Sequence, residues 1–161
     1  MGKVIAIANQ KGGVGKTTTA VNLAACIGAR KKTVLLVDID PQGNATSGLG
    51  IRKKNVAQTS YDLLIGEARV EDVRVGTEFK NVDAIPSSIE LAGAEVELVE
   101  MEDRINRLKI ALAPIREIYD FILIDCPPSL GLITLNALTS ADSVFIPIQC
   151  EYYALEGLTQ L

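Results

Sequence analysis

Residues 9–18, Asn9-Gln10-Lys11-Gly12-Gly13-Val14-Gly15-Lys16-Thr17-Thr18, follow directly on an apolar run at residues 4–8 and carry the residue types of a phosphate cradle. Glycines let backbone N–H groups turn inward around an anion, and Lys16 supplies a point charge. The helix expected from Thr17 aims its positive end at the same oxygens. Thr17 is then the natural hydroxyl ligand for Mg²⁺. The familiar pattern G-x-x-x-x-G-K-[ST] is not fully met, because Gln10 stands where its first glycine belongs. The loop carries instead a second cation, Lys11. Two lysines in one glycine loop match a ligand with more than one phosphate group, a nucleoside triphosphate.

Carboxylates that could serve such a ligand lie at the ends of apolar runs. Asp125 closes Phe121-Ile122-Leu123-Ile124, a place where a carboxylate needs a cation or donors to offset desolvation, and it is read as holding Mg²⁺ through water. A polar turn, Asp38-Ile39-Asp40-Pro41-Gln42-Gly43-Asn44, supplies two more. Taking Asp38 and Asp40 to face opposite ways leaves only one of them toward the phosphates. Asp40 is assigned to orienting the attacking water, and Asp38 to anchoring the loop or to the metal shell. Lys11, Lys16 and Asp40 are thus the catalytic candidates, since phosphoryl transfer depends on positioning and charge neutralisation. After Asp125, Pro127-Pro128-Ser129-Leu130-Gly131 is placed like a γ-phosphate-sensing switch loop, stiffened by its prolines and hinged at Gly131.

Strand-like and helix-like segments alternate around these groups. Buried strands are expected at 4–8, 33–37, 81–85, 121–125 and 143–148, and helices at 17–29 and, capped by Ser60, at 60–65. Residues 45–50 read as a glycine-marked loop. From Leu98 to Ile115 the apolar residues step by three and four, which predicts one helix with a kink or restart at Pro114. The acidic residues Glu95, Glu97, Glu100, Glu102 and Asp103 read as a solvated face of it. Five strands joined by helical crossovers predict an α/β fold, a doubly wound, mainly parallel sheet with helices on both faces and the ligand at the C-terminal strand ends.

The chain has 161 residues, 48% hydrophobic and 22% charged, enough apolar material for one compact domain. No run reaches membrane-spanning length, and Met1-Gly2-Lys3 leads straight into the first strand, so a cytoplasmic protein without a leader is expected. Cys26, Cys126 and Cys150 are odd in number and widely spaced, and histidine is absent, which disfavours zinc and disulfides; all three read as small buried hydrophobes. A net charge of −4 argues against a broad nucleic-acid footprint on these residues. Basic residues cluster only at Arg30-Lys31-Lys32, read as a helix C-terminus, and at Arg52-Lys53-Lys54, read as a solvated loop. The chain stops within a helix-like segment at 157–161, from which a C-terminal truncation is expected.

The loop at 11–18 resembles the deviant Walker A motif of the MinD/ParA class. Val37-Asp38-Ile39-Asp40-Pro41-Gln42-Gly43-Asn44-Ala45-Thr46-Ser47-Gly48 looks specifically like the ParA/Soj chromosome-partitioning ATPases. Ile124-Asp125-Cys126-Pro127-Pro128-Ser129-Leu130-Gly131 agrees, and so does the stretch from Gln149 to Leu158. The similarity spans the chain. It implies a P-loop NTPase fold, a single domain over 1–161 that forms the N-terminal part of a longer family domain, and hydrolysis of ATP with Mg²⁺. It further implies an ATP-dependent sandwich homodimer in which Lys11 reaches the partner's phosphates, nonspecific DNA binding through residues mostly beyond this chain, a ParB/Spo0J-type partner that stimulates hydrolysis, and a nucleoid-associated location without membrane contact. Two alternatives stand beside it. A MinD-like membrane-associated cell-division ATPase needs an amphipathic C-terminal helix, and an ATP-dependent scaffold needs little turnover.

Overall fold

The computed structural model describes residues 2–150, so the helix-like end at 157–161 and most of the stretch 149–158 lie outside the described residues. Six strands, β1 (Lys3–Ile7), β2 (Val34–Asp38), β3 (Val75–Gly76), β4 (Val82–Ile85), β5 (Phe121–Asp125) and β6 (Ser143–Phe145), form one sheet in the order β3-β4-β2-β5-β1-β6. All neighbours are parallel except β3, which pairs antiparallel with β4. This is the expected doubly wound sheet. The two-residue β3 is an addition that is too short to show a period in the sequence.

Strand parity divides the core in two. Val34, Leu36, Ile7, Ala84 and Leu123 face α1 (Lys16–Ala29) and α2 (Asn44–Gly48). Leu35, Val37, Ala6, Ile85, Ile122 and Ile124 face the other layer. That layer is α3 (Ser60–Ile65), α4 (Val70–Val73), α5 (Leu91–Glu97), α6 (Arg107–Leu112) and α7 (Leu132–Ser140). Each fully buried leucine or isoleucine contributes about 1.5–3 kcal/mol. The strands are apolar on both sides because both faces are covered. Helix α1 lies close to the sheet because its inner stripe is Ala20, Ala24 and Gly28, all buried. A Cβ at Gly28 would stand 2.4 Å from the Lys80 carbonyl oxygen.

Several local expectations are corrected. Residues 45–50 are not a loop throughout, since α2 occupies Asn44–Gly48. The cap of α3 is Thr59 and not Ser60; Thr59 and Asp62 form a capping box. No single helix runs from Leu98 to Ile115. A 3₁₀ turn at Leu98–Glu100, a break containing Asp103 in the left-handed region (φ 54°), α6, and a 3₁₀ turn at Ala113–Ile115 around Pro114 take its place. Leu98, Leu108, Leu112 and Ile115 of the expected face are buried, whereas within the break Met101 is half-buried and Ile105 is exposed. The strand expected at 143–148 ends at Phe145, short of Pro147, which has no N–H to give a ladder. It is an edge strand with Val144 and Phe145 nearly half exposed. Of the cysteines only Cys126 is buried; Cys26 and Cys150 are exposed. Arg30 and the residues after it lie beyond the last turn of α1, which itself holds no basic residue. No helix among the described residues is long and apolar enough to cross a membrane.

Candidate functional site

The central strands end level with one another: Ile7 and Asp38 are each in register with Asp125. Between the end of β1 and the start of α1 runs the glycine loop, with Gly13 (φ 73°) and Gly15 (φ 89°) in the left-handed region that only glycine enters freely. A cleft of about 380 Å³ opens over it, lined by Gly12, Gly13, Gly15, Lys16, Thr17 and Thr18, by Asp40 and Gln42 of the turn after β2, by Asn44 at the start of α2, and by Pro128. Lys11 and Val14 do not line the cleft. Val14 is buried, and the Lys11 N–H donates to Asn9 Oδ1 (3.0 Å) while its carbonyl accepts from Lys16 Nζ (3.1 Å).

Asp125 has the parity of Leu123, so its side chain turns toward α1 and meets Thr17, whose hydroxyl donates to Oδ2 (2.8 Å). The carboxylate is fully buried, and Oδ1 has no hydrogen-bond partner among the described residues. Burial, helped by the Asp38 charge on the neighbouring strand, pushes its pKa up to about 7 against the Thr17 hydrogen bond. Burial lowers the pKa of Lys16, opposed by the charges of Asp125 and Asp40. A hydroxyl and a carboxylate with a free buried oxygen, beside a lysine at the mouth of a glycine cradle, are oxygen donors suited to a hard divalent cation such as Mg²⁺.

Asp38 and Asp40 do not face opposite ways. Asp38, at the end of β2, has the parity of Val34 and Leu36 and points to the α1/α2 side, and Asp40, in the turn beyond the strand, lines the same cleft as Lys16, Thr17 and Thr18 at the start of α1. What separates them is their partners. Asp38 accepts three donors, the Thr46 N–H and hydroxyl on Oδ2 (2.7 Å each) and the Asp40 N–H on Oδ1 (3.1 Å). Burial still holds its pKa above the usual carboxylate range. Of its two expected roles the geometry matches the anchor of the loop, with both oxygens engaged. Asp40 accepts the Gln42 N–H on Oδ1 (2.9 Å) and lines the cleft.

The segment from Pro127 to Gly131 joins β5 to α7, with Pro127 buried and Pro128 exposed on the cleft. Gly131 is not a hinge by conformation: its φ of −92° suits any residue. A Cβ here would stand 2.2 Å from Glu95 Oε1, so any other residue would displace the Glu95 carboxylate. The Glu95 carboxylate accepts the N–H groups of Leu132 (2.8 Å) and Ile133 (3.2 Å), capping α7 from a neighbouring helix. Glu95 thereby leaves the solvated acidic face, while Glu97, which accepts from the Tyr61 hydroxyl (2.9 Å), stays exposed with Glu100, Glu102 and Asp103. Sequence reasoning missed Glu95. The signal that could have found it is the absence of Ser, Thr, Asp or Asn at the start of α7, which leaves its N–H groups to a distant side chain. Thr46 and Ser87 were missed too, and so was Asn9, whose amide donates to the Pro147 carbonyl (2.9 Å) and ties the loop to the segment after β6.

A larger cleft of about 430 Å³ lies between α3, α4 and α6, but its arginines are already committed. Arg69 pairs with Asp72 and Arg107 Nε donates to the Leu64 carbonyl.

A family model described as "AAA domain" matches residues 2–161. The chain is 65% identical over 161 residues to the sporulation initiation inhibitor protein Soj of Bacillus subtilis (strain 168), covering all of this chain and 64% of that protein. It thus spans less than two thirds of that relative. Among solved structures, one described as cobyrinic acid a,c-diamide synthase from Mycobacterium smegmatis with bound ATP analogue and magnesium superimposes with a TM-score of 0.95 at 42% identity, over 99% of this chain and 65% of that one. A plasmid partition protein from Borrelia burgdorferi gives a TM-score of 0.89 at 33% identity, over 99% of this chain and 71% of that one.

Proposed function

The chain belongs to the AAA-domain family and, within it, to the ParA/Soj chromosome-partitioning proteins, and from that premise we propose that it is the nucleotide-binding part of an ATP-hydrolysing partition switch. The observation that carries this reading is the fully buried Asp125, one oxygen on Thr17 and the other without a partner among the described residues, beneath a glycine cradle that also presents Lys16. In the proposed mechanism the N–H groups of residues 12–18 and the Lys16 ammonium bind the phosphates, and Thr17 and Asp125, the latter through water, hold Mg²⁺. Bound with ATP, Mg²⁺ supplies neutralisation of phosphate charge. Asp40, fixed at the cleft wall, orients the attacking water. Pro127 to Gly131 carry the state of the γ-phosphate into α7.

ATP then drives two copies into a sandwich dimer in which Lys11 of each reaches the other's phosphates. The dimer binds DNA without sequence preference, and a ParB/Spo0J-type protein stimulates hydrolysis, in the cytoplasm at the nucleoid. With a net charge of −4, the DNA-binding surface is assigned mainly to residues outside this chain.

Asp40→Ala in the full-length protein tests the mechanism. Mg-ATP affinity measured by calorimetry should persist while turnover falls by about 10²-fold or more, as for loss of a water-activating group. Loss of affinity in place of turnover would move Asp40 from the water to the phosphate or cation shell.

A further inference from the structure

We propose that Ser87 is a positioning residue for Asp40, fixing the main chain of the water-orienting residue from outside the nucleotide cleft. This rests on the proposed role of Asp40. Ser87 lies two residues past the end of β4, whose Ile85 is in register with Val37, so the strand pairing carries Ser87 alongside the turn after β2. Its hydroxyl donates to the Asp40 carbonyl (2.7 Å), and its N–H donates to Thr46 Oγ1 (2.9 Å). The Thr46 hydroxyl donates in turn to Asp38 Oδ2 (2.7 Å). Asp38, Thr46 and Ser87 are each 1–2% exposed, and none of the three lines the cleft.

The consequence for Asp40 is a main chain held at both ends. Its N–H is taken by Asp38 Oδ1, and its carbonyl by the Gly43 N–H (2.8 Å) and the Ser87 hydroxyl. The preceding Pro86 carbonyl accepts the Ser60 N–H (2.8 Å), which ties this support to α3. Asp40 sits in a turn, where positional precision has to be imposed by neighbours. A shift of about 1 Å in a group that aligns a nucleophile can cost about 10²-fold in rate. The Ser87 hydroxyl has no other partner within the cleft to serve, so its contribution runs through Asp40.

Removing the hydroxyl should not unfold the protein. The Asp40 carbonyl keeps the Gly43 N–H, so no buried acceptor is orphaned, and the lost bond is a single neutral one. The test compares Ser87→Ala with Ser140→Ala in the full-length protein. Ser140 is also buried and also donates to a carbonyl, that of Asn136 (2.6 Å), at the far end of α7. For Ser87→Ala, kcat at saturating Mg-ATP should fall by more than about threefold and toward 10²-fold, while ATP Kd from calorimetry stays within about twofold. Ser140→Ala should keep kcat. The inference is overturned by a smaller fall in kcat, by a parallel weakening of Kd, or by an equal fall in Ser140→Ala. Asp40→Ala run alongside separates the two levels. If it turns over normally, the role of Asp40 is wrong; if it stops turnover while Ser87→Ala does not, only the positioning role of Ser87 is wrong.

Discussion

Replacing Asp38 by Asn asks whether this buried carboxylate organises the loop or serves a cation. At 2% exposure its two oxygens take three donors, and Asn offers only one acceptor oxygen. The least costly placement keeps the amide oxygen on Thr46, which leaves the amide NH₂ facing the Asp40 N–H across a contact of 3.1 Å. One charge-assisted bond is lost, worth about 1.5–3 kcal/mol, and a buried N–H is left without an acceptor at about 1–3 kcal/mol. Relief of burying the charge opposes this, because burial already disfavours the Asp38 carboxylate. Taken together, nucleotide-free protein should lose about 2 kcal/mol, or about 4–8 °C in Tm for a chain of this size. Urea unfolding should show a lower midpoint at unchanged slope, equally with and without Mg²⁺. Unchanged or increased stability, with the defect confined to Mg²⁺-dependent ATP binding, would refute the anchoring argument and return Asp38 to the metal shell.

Lys16→Ala should abolish Mg-ATP binding measured by calorimetry, since the loop N–H groups alone leave the triphosphate under-neutralised; near-normal affinity would remove Lys16 from that role. Gly131→Ala should drive Glu95 off the Leu132 and Ile133 N–H groups and cost about 1 kcal/mol, the worth of a helix cap; Glu95→Ala should cost about the same, and in the double variant the two losses should fail to add. Tyr119 donates to Asp83 Oδ2 (2.6 Å), and burial together with that bond pushes its pKa up from 10.0 to about 12. The unfolded chain then releases the phenol proton first, so this contribution is complete below about pH 10 and is lost as pH rises toward about 12. In urea unfolding, the stability difference between wild type and Tyr119→Phe should stay flat at lower pH and narrow over that window.

The glycine loop between β1 and α1 was legible in the sequence because its signal is local. Glycines, lysines and a threonine within eight positions, between an apolar strand and a helix, need no distant partner to declare themselves. The doubly wound sheet was legible from alternation, since strands covered on both faces must be apolar throughout. Tertiary structure decided which carboxylate does what. Asp125 reaches Thr17 because β5 sits between β1 and β2 in a register that gives it the parity of the α1 face, and that register comes from packing of both layers. Asp38 became an anchor because α2 formed where a loop was expected and delivered Thr46 to it. The break between Leu98 and Arg107 carries no mark in the apolar period, which runs on through Met101 and Ile105 although the structure leaves Met101 half-buried and Ile105 exposed. Glu95 and Ser87 carry no local mark at all. Each acts on a backbone group tens of residues away, and only the folded chain brings donor and acceptor together.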